Sequence, residues 1–199
     1  MKSIQLLLLA ALGAASTIML GQAVPVAPFG LDRGQVPAIE VSAGYMFVHA
    51  NAPPGQCGCM HLNGGYGSLV INMPRGFSLV ADLSAAHAGQ VGGTAQNITV
   101  FNDLFGPRYS FRTVSRRFTP YVQALGGQSQ EASSYVFIGG TASAAAFSAG
   151  GGLNSAFSRH IGWNIVEADW VHSSLPNAVN SSQNDLRISS GIIFRFGPR

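Results

Sequence analysis

Residues 186–196 place Leu186, Ile188, Ile192, Phe194 and Phe196 on one strand face. Arg187, Ser189, Gly191 and Arg195 fall on the other, with Ile193 the apolar exception. Such period-2 alternation over eleven residues is long for a strand of a globular protein. It matches the length of a tilted strand that crosses a bilayer's hydrocarbon core. A strand of this kind faces lipid only in a closed barrel, because an open edge leaves backbone N–H and C=O groups without partners in hydrocarbon. The last strand therefore constrains the whole chain to a barrel.

The beginning of the chain predicts its destination. Lys2 precedes an apolar run over 4–12, broken only by Gln5, that continues through Ile18, Met19 and Leu20. Gly21-Gln22-Ala23 supplies small residues at the −3 and −1 positions of a cleavage site. Residues 1–23 are thus expected to be a secretory signal peptide, cut after Ala23. The alternative, a permanent anchor helix, is opposed by Gly13, Ser16 and Thr17, which interrupt the run. Residues 24–38, rich in Pro, Gly and Ala, read as a flexible periplasmic lead-in, and 39–199 as one barrel domain.

Composition agrees. Charged residues make up 10% of the chain, against about 25% in an ordinary soluble domain. So few charges suit an apolar exterior better than a water-covered one. The net charge of +3 has no basic cluster, which leaves nucleic-acid binding without support.

Alternation and turn residues predict eight strands, at about 39–49, 61–72, 77–87, 97–112, 118–128, 143–155, 161–172 and 186–196. Short turns at 72–76, 113–117 and 158–160 alternate with long connections at 50–60, 88–95, 129–142 and 173–185. Pro107 inside the fourth strand predicts a bulge or locally open pairing, since Pro offers no ladder donor. In the seventh strand, Trp163 and Ile165 share a phase with Glu167 and Asp169, which a bulge near Val166 would repair. The expected fold is all-β: an eight-stranded antiparallel up-and-down transmembrane barrel, with short periplasmic turns and four longer outer loops. A soluble barrel of the lipocalin type is the alternative, and it would place apolar side chains inside.

Two stretches carry a resemblance. Ser189-x-Gly191-x-x-Phe194-x-Phe196 resembles the C-terminal assembly signal of outer-membrane barrels, although Gly197-Pro198-Arg199 follow it. Residues 105–109 and the glycine-rich 150–153 are similar to segments of small bacterial barrels. Together they resemble the small transmembrane-barrel family that includes the membrane domain of OmpA. The resemblance implies residence in the bacterial outer membrane, contact with its lipid and lipopolysaccharide, insertion by the barrel-assembly machinery, and a monomer without cofactors. It implies a non-enzymatic role in envelope integrity or surface interaction through the outer loops.

The inward face is expected to hold Glu40, Asp82, Arg108, Arg112, Glu167, Asp169, Arg187 and Arg195. Counting along the strands predicts three pairings: Glu40 with Arg195, Asp82 with Arg108, and Glu167 or Asp169 with Arg187. Paired charges would plug the lumen, whereas free ones would line a narrow channel. Cys57 and Cys59, with His61 and His49 nearby, offer a metal-site reading against a disulfide or two thiols. His172-x-Ser174 resembles the active-site stretch of outer-membrane lipid A deacylases, which implies a lipid A-modifying hydrolase as the enzyme alternative. The aromatics Tyr45, Phe47, Phe77, Phe101, Phe105, Tyr109, Phe111, Phe118, Tyr121, Trp163, Trp170, Phe194 and Phe196 are expected to form two interfacial girdles.

Overall fold

The computed structural model describes residues 37–51, 59–91, 96–111, 117–134, 140–175 and 182–197. The leader, most of the lead-in, Cys57 and Arg112 lie outside the described residues. Eight strands follow one another: β1 (Ile39–Asn51), β2 (Cys59–Asn72), β3 (Phe77–Ala88), β4 (Asn97–Ser110), β5 (Phe118–Ser134), β6 (Gly140–Ala156), β7 (Ile161–Ser173) and β8 (Gln183–Phe196). Each pairs antiparallel with its chain neighbours, and β1 pairs with β8 to close the barrel. The strand ends reached by residues 39 and 196 define a terminal end, and the connections 52–58, 89–96, 135–139 and 174–182 a loop end.

Alternation builds the wall. In β3, Ser78, Val80, Asp82, Ser84 and Ala86 are buried, while Phe77, Leu79 and Leu83 are exposed. The same inversion runs through β8, where Leu186, Ile188, Ile192, Phe194 and Phe196 face out and Arg187, Ser189 and Ile193 face in. Bulky apolar side chains outside and small or polar ones inside is the pattern of a wall that faces lipid. The lipocalin-type arrangement has the opposite sense.

Two irregularities fall where the sequence places them. Leu153 pairs with Val166 but Asn154 with Asn164, so β7 carries the expected bulge and Glu167 and Asp169 turn inward. Beside Pro107, Phe105 pairs with Gly126 and Arg108 with Gln123, leaving the two positions between them unpaired on the β5 side without a register shift. Pro107 opens the ladder and makes no bulge.

The largest boundary difference is between β5 and β6. The predicted long connection over 129–142 shrinks to 135–139, because β5 and β6 run on through Ser133 opposite Gly140 and are each 17 residues long. Small residues such as Ala142, Ala144 and Ala145 hid this extension, having no marked alternation in size.

The turn at the terminal end of β2 shows how local chemistry sets register. Arg75 (φ 65°) and Gly76 (φ 88°) are both left-handed, and only glycine adopts such a backbone freely. Ser78 Oγ donates to Asn72 Oδ1 at 2.7 Å, and Asn72 Nδ2 donates to the Pro37 carbonyl at 3.0 Å.

Candidate functional site: the charged lumen

Inward-facing residues of five strands meet inside the barrel. Arg187 on β8 is the centre. Its Nη1 lies 2.6 Å from Asp82 Oδ1 on β3, and its Nη2 lies 2.7 Å from Asp169 Oδ2 and 3.4 Å from Glu167 Oε1 on β7. Asp169 is opposite Arg187 in register, but Asp82 is on β3, so this guanidinium crosses the interior. Arg108 on β4 crosses it as well, with Nη2 3.3 Å from Glu167 Oε2.

Neutral groups complete the network. Gln123 Oε1 accepts from Arg108 Nη2 at 2.6 Å, and its Nε2 donates to Asp169 Oδ1 at 3.1 Å, so one amide joins the two ion clusters. The Tyr121 hydroxyl donates to Glu167 Oε2, and Asn164 Nδ2 donates to the same oxygen at 3.3 Å. The Arg108 guanidinium also lies 4.0 Å from the centre of the Tyr121 ring, a cation–π contact. Three carboxylates share two guanidinium groups, and these neutral donors supply the bonds that the extra carboxylate needs. Glycine makes room for the rings: a Cβ at Gly152 would lie 2.6 Å from the Tyr121 hydroxyl, and one at Gly191 2.7 Å from that of Tyr66.

Glu40 and Arg195 pair as expected, with Nε 3.0 Å from Oε1 at the terminal end. Arg187 also finds Asp169 and Glu167 as expected. The predicted Asp82–Arg108 pair does not form. In the β3–β4 register Asp82 is opposite Leu104 and Arg108 is opposite Ser78, which sets the two four positions apart. Tyr121 is not part of an interfacial girdle: it is buried in the lumen, because β5 places its odd-numbered residues inward. Phe105, 71% exposed, faces out away from both strand ends, opposite Ala81 and Gly126. Phe77, Tyr109 and Phe111 form edge contacts at the terminal end, with centroids 5.1 and 5.0 Å apart, whereas Tyr45 lies toward the middle of β1 and not at a strand end.

Toward the loop end the β1–β4 side of the lumen becomes apolar, while Glu131 and Gln183 meet on the β5–β8 side, 3.5 Å apart. Val48, Ala50, Met60, Leu62, Ala86, Ala88 and Ile98 form a buried cluster. A cavity of about 20 Å³ lies between this cluster and Arg187, room for about one water.

No protein-family model matches the chain, and no curated protein does. Solved structures do. Neisserial surface protein A (NspA) superposes with a TM-score of 0.62 at 14% identity, covering 80% of this chain and 97% of that one. Ail, the attachment invasion locus protein of Yersinia pestis, gives 0.56 at 12% identity, covering 81% and 100%. The N-terminal barrel domain of OprF from Pseudomonas aeruginosa gives 0.52 at 16%, covering 81% and 100%. The chain has the fold of the small outer-membrane β-barrels. At these identities the likeness carries the fold alone.

Within this fold the remaining candidate residues sit outside the lumen network. His172 faces outward, stacked on Trp170, and its Nδ1 lies 3.0 Å from Asn184 Oδ1. An amide therefore holds this imidazole, and Ser174 lies beyond the end of β7, exposed. Cys59 opens β2, and two residues on, His61 meets His49 ring to ring, with Nδ1 atoms 3.2 Å apart. Among the described residues, no three His, Cys, Asp or Glu side chains gather as a metal site would need. In the C-terminal stretch Phe194 and Phe196 face out, Ser189 is buried inside, and Gly191 lies opposite Gly44.

Sequence reasoning missed Gln123, Asn164, Tyr66 and the inward direction of Tyr121. A signal was present: Tyr121 lies across from Gly152 in the β5–β6 register, and a ring beside a glycine on the small-residue face fills the lumen.

Proposed function

We propose that the protein is a non-conducting outer-membrane barrel, without catalytic activity, that acts in envelope integrity or surface interaction through its loop end. The observation that carries this reading is the lumen, which two guanidinium groups cross between β8 and β3 and between β4 and β7. An apolar cluster packs beyond them on the β1–β4 side. Ions would have to break buried pairs to pass. In this reading residues 1–23 direct export, Phe194 and Phe196 are read by the assembly machinery, and the loop end faces outside.

The outer connections suggest how a partner would be met. Segments 52–58, 89–96, 135–139 and 174–182 contain no Asp, Glu, Lys, Arg or His. The longest strand pair, β5–β6, is joined by a segment that includes Tyr135, Val136, Phe137 and Ile138. Contact would rest on apolar and neutral polar groups, with little dependence on salt.

Two measurements test this. Folded barrel in the outer-membrane fraction should shift its gel mobility on boiling, and a periplasmic protein with no shift would overturn the membrane reading. In planar bilayers the protein should give no discrete conductance steps. Reproducible steps that change with Arg108→Lys would make it a channel instead.

A further inference from the structure

Four of the chain's five histidines lie at the loop end on the outward face of the barrel: His172 on β7, His49 on β1, His61 on β2 and His87 on β3. Each sits between inward-facing buried neighbours, as His61 does between Met60 and Leu62, and His87 between Ala86 and Ala88. With Asn184 of β8 between His172 and His49, they make a continuous arc over five strands. We propose that this arc is a proton-gated contact for the phosphate groups of outer-leaflet lipid. The proposal rests on the outer-membrane reading above.

Position argues for lipid. The arc lies one outward step beyond Phe47 and Trp170: His61 stacks on Phe47 with centroids 5.4 Å apart, and His172 on Trp170 at 5.7 Å. Aromatic side chains mark the level of the headgroups, so the imidazoles reach the phosphate layer sideways.

Charge argues for gating. Lys2 is the only lysine, and among the described residues no arginine faces outward at this end. Arg75, Arg117 and Arg159 lie at the terminal end, and Arg108, Arg187 and Arg195 point into the lumen. Among the described residues the imidazoles are therefore the groups here that can offer positive charge to an anionic headgroup, and they do so on taking a proton.

Hydrogen bonding makes the gate specific. All four rings use Nδ1 within the protein: His49 with His61, His87 with Thr99 Oγ1 at 2.9 Å, and His172 with Asn184 Oδ1. Among the described residues, no Nε2 of these four rings has a hydrogen-bond partner. Because Asn184 Oδ1 only accepts, His172 Nδ1 carries the hydrogen, and its Nε2 in the neutral ring is a lone pair. The same holds for whichever of His49 and His61 donates to the other. Phosphate oxygens offer only acceptors, so His172 and the donor of the His49–His61 pair bond phosphate through Nε2 after taking a proton and not before.

The groups facing the arc do not compete. His49 is opposite His61 and Leu186, His87 opposite Asn63 and Thr99, and His172 opposite Phe147 and Asn184. Toward the middle of the strands, the outward titratable groups are Tyr45, bonded to Asn63, and Asp103 on β4, opposite Leu83 and Gln128. Glu131 and Asp185 are on the inward phase of β5 and β8.

The test uses the full barrel, after leader removal, in phosphatidylcholine vesicles. Trace spin-labelled phosphatidylglycerol or phosphatidylcholine reports the lipid held at the protein surface. Phosphatidylglycerol keeps its single charge from pH 7.5 to 5.5, so any change belongs to the protein. Selectivity for phosphatidylglycerol should rise about threefold on acidification and stay flat when His49, His61, His87 and His172 are all changed to Gln. Carbethoxylation of the imidazoles on the folded native barrel should flatten it too, which avoids refolding a variant. A flat native profile, or an equal rise with and without the imidazoles, overturns the proposal. Absence of any surface-held lipid, together with no heat-modifiable band, overturns the membrane reading and this one with it.

Discussion

Two parts of the lumen, its middle and the β1–β3 side of its loop end, are filled by different chemistry. Through its middle, Arg187, Arg108, Asp82, Glu167 and Asp169 join strands that are not neighbours, as Arg187 on β8 does with Asp82 on β3. Toward the loop end, Val48, Ala50, Met60, Leu62, Ala86 and Ala88 pack between adjacent strands β1, β2 and β3. The charged part is directional: each group holds only while its partners are present, because a desolvated charge without one is strongly unfavourable. The apolar part is tolerant, since a methyl group lost costs only its own contacts and the space it leaves. The first fixes geometry across the barrel, and the second, with a further apolar cluster at Val70, Val80, Leu104, Leu125 and Ala146, fills the space around it.

Arg187→Met should break the comparison hardest. It strands Asp82 and Asp169 and should lower stability by about 3–5 kcal/mol, read from urea unfolding in vesicles. Adding Asp82→Asn and Asp169→Asn should recover most of the loss. A cost below about 1 kcal/mol for the single change would mean that water reaches these groups and pairs with them. In the apolar half, Leu62→Ala, at a side chain 1% exposed, should cost about 2–4 kcal/mol. No carboxylate-to-amide change should rescue it. If one did, the two halves would be a single coupled unit.

How far these features were legible follows from what sets each of them. Strand phase depends on side-chain size and polarity over neighbouring positions, so β3 and β8 were readable almost residue by residue, and the β7 bulge showed as a phase error at Glu167. Pairing between neighbours at the closed seam was readable as well, because Glu40 and Arg195 lie near the two ends of the barrel sequence and close opposite each other. Contacts across the lumen were not. Whether Asp82 meets Arg108 on the next strand or Arg187 three strands away depends on stagger accumulated around the barrel, and on which ring, here Tyr121, occupies the space between. The extension of β5 and β6 was hidden by Ala, Ser and Gly, whose small side chains distinguish neither face.

The weakest ion pair sharpens the comparison. Glu40 and Arg195 have the same chemistry as the central network, yet they are opposite each other on adjacent strands at the terminal end, with side chains 13% and 11% exposed. Water and salt reach that end, so the pair gains less from its Coulomb attraction and loses less when broken. A double-mutant cycle with Glu40→Gln and Arg195→Gln should give a coupling of about 0–1 kcal/mol that fades with added salt. The loss caused by Arg187→Met should keep its size across the same salt range, since its partners are shielded. A salt-insensitive coupling above about 2 kcal/mol at Glu40–Arg195 would mean that the terminal end excludes water as fully as the middle. The boundary between the guarded charges and the solvated ones would then lie outside the barrel rather than within its last turn of residues.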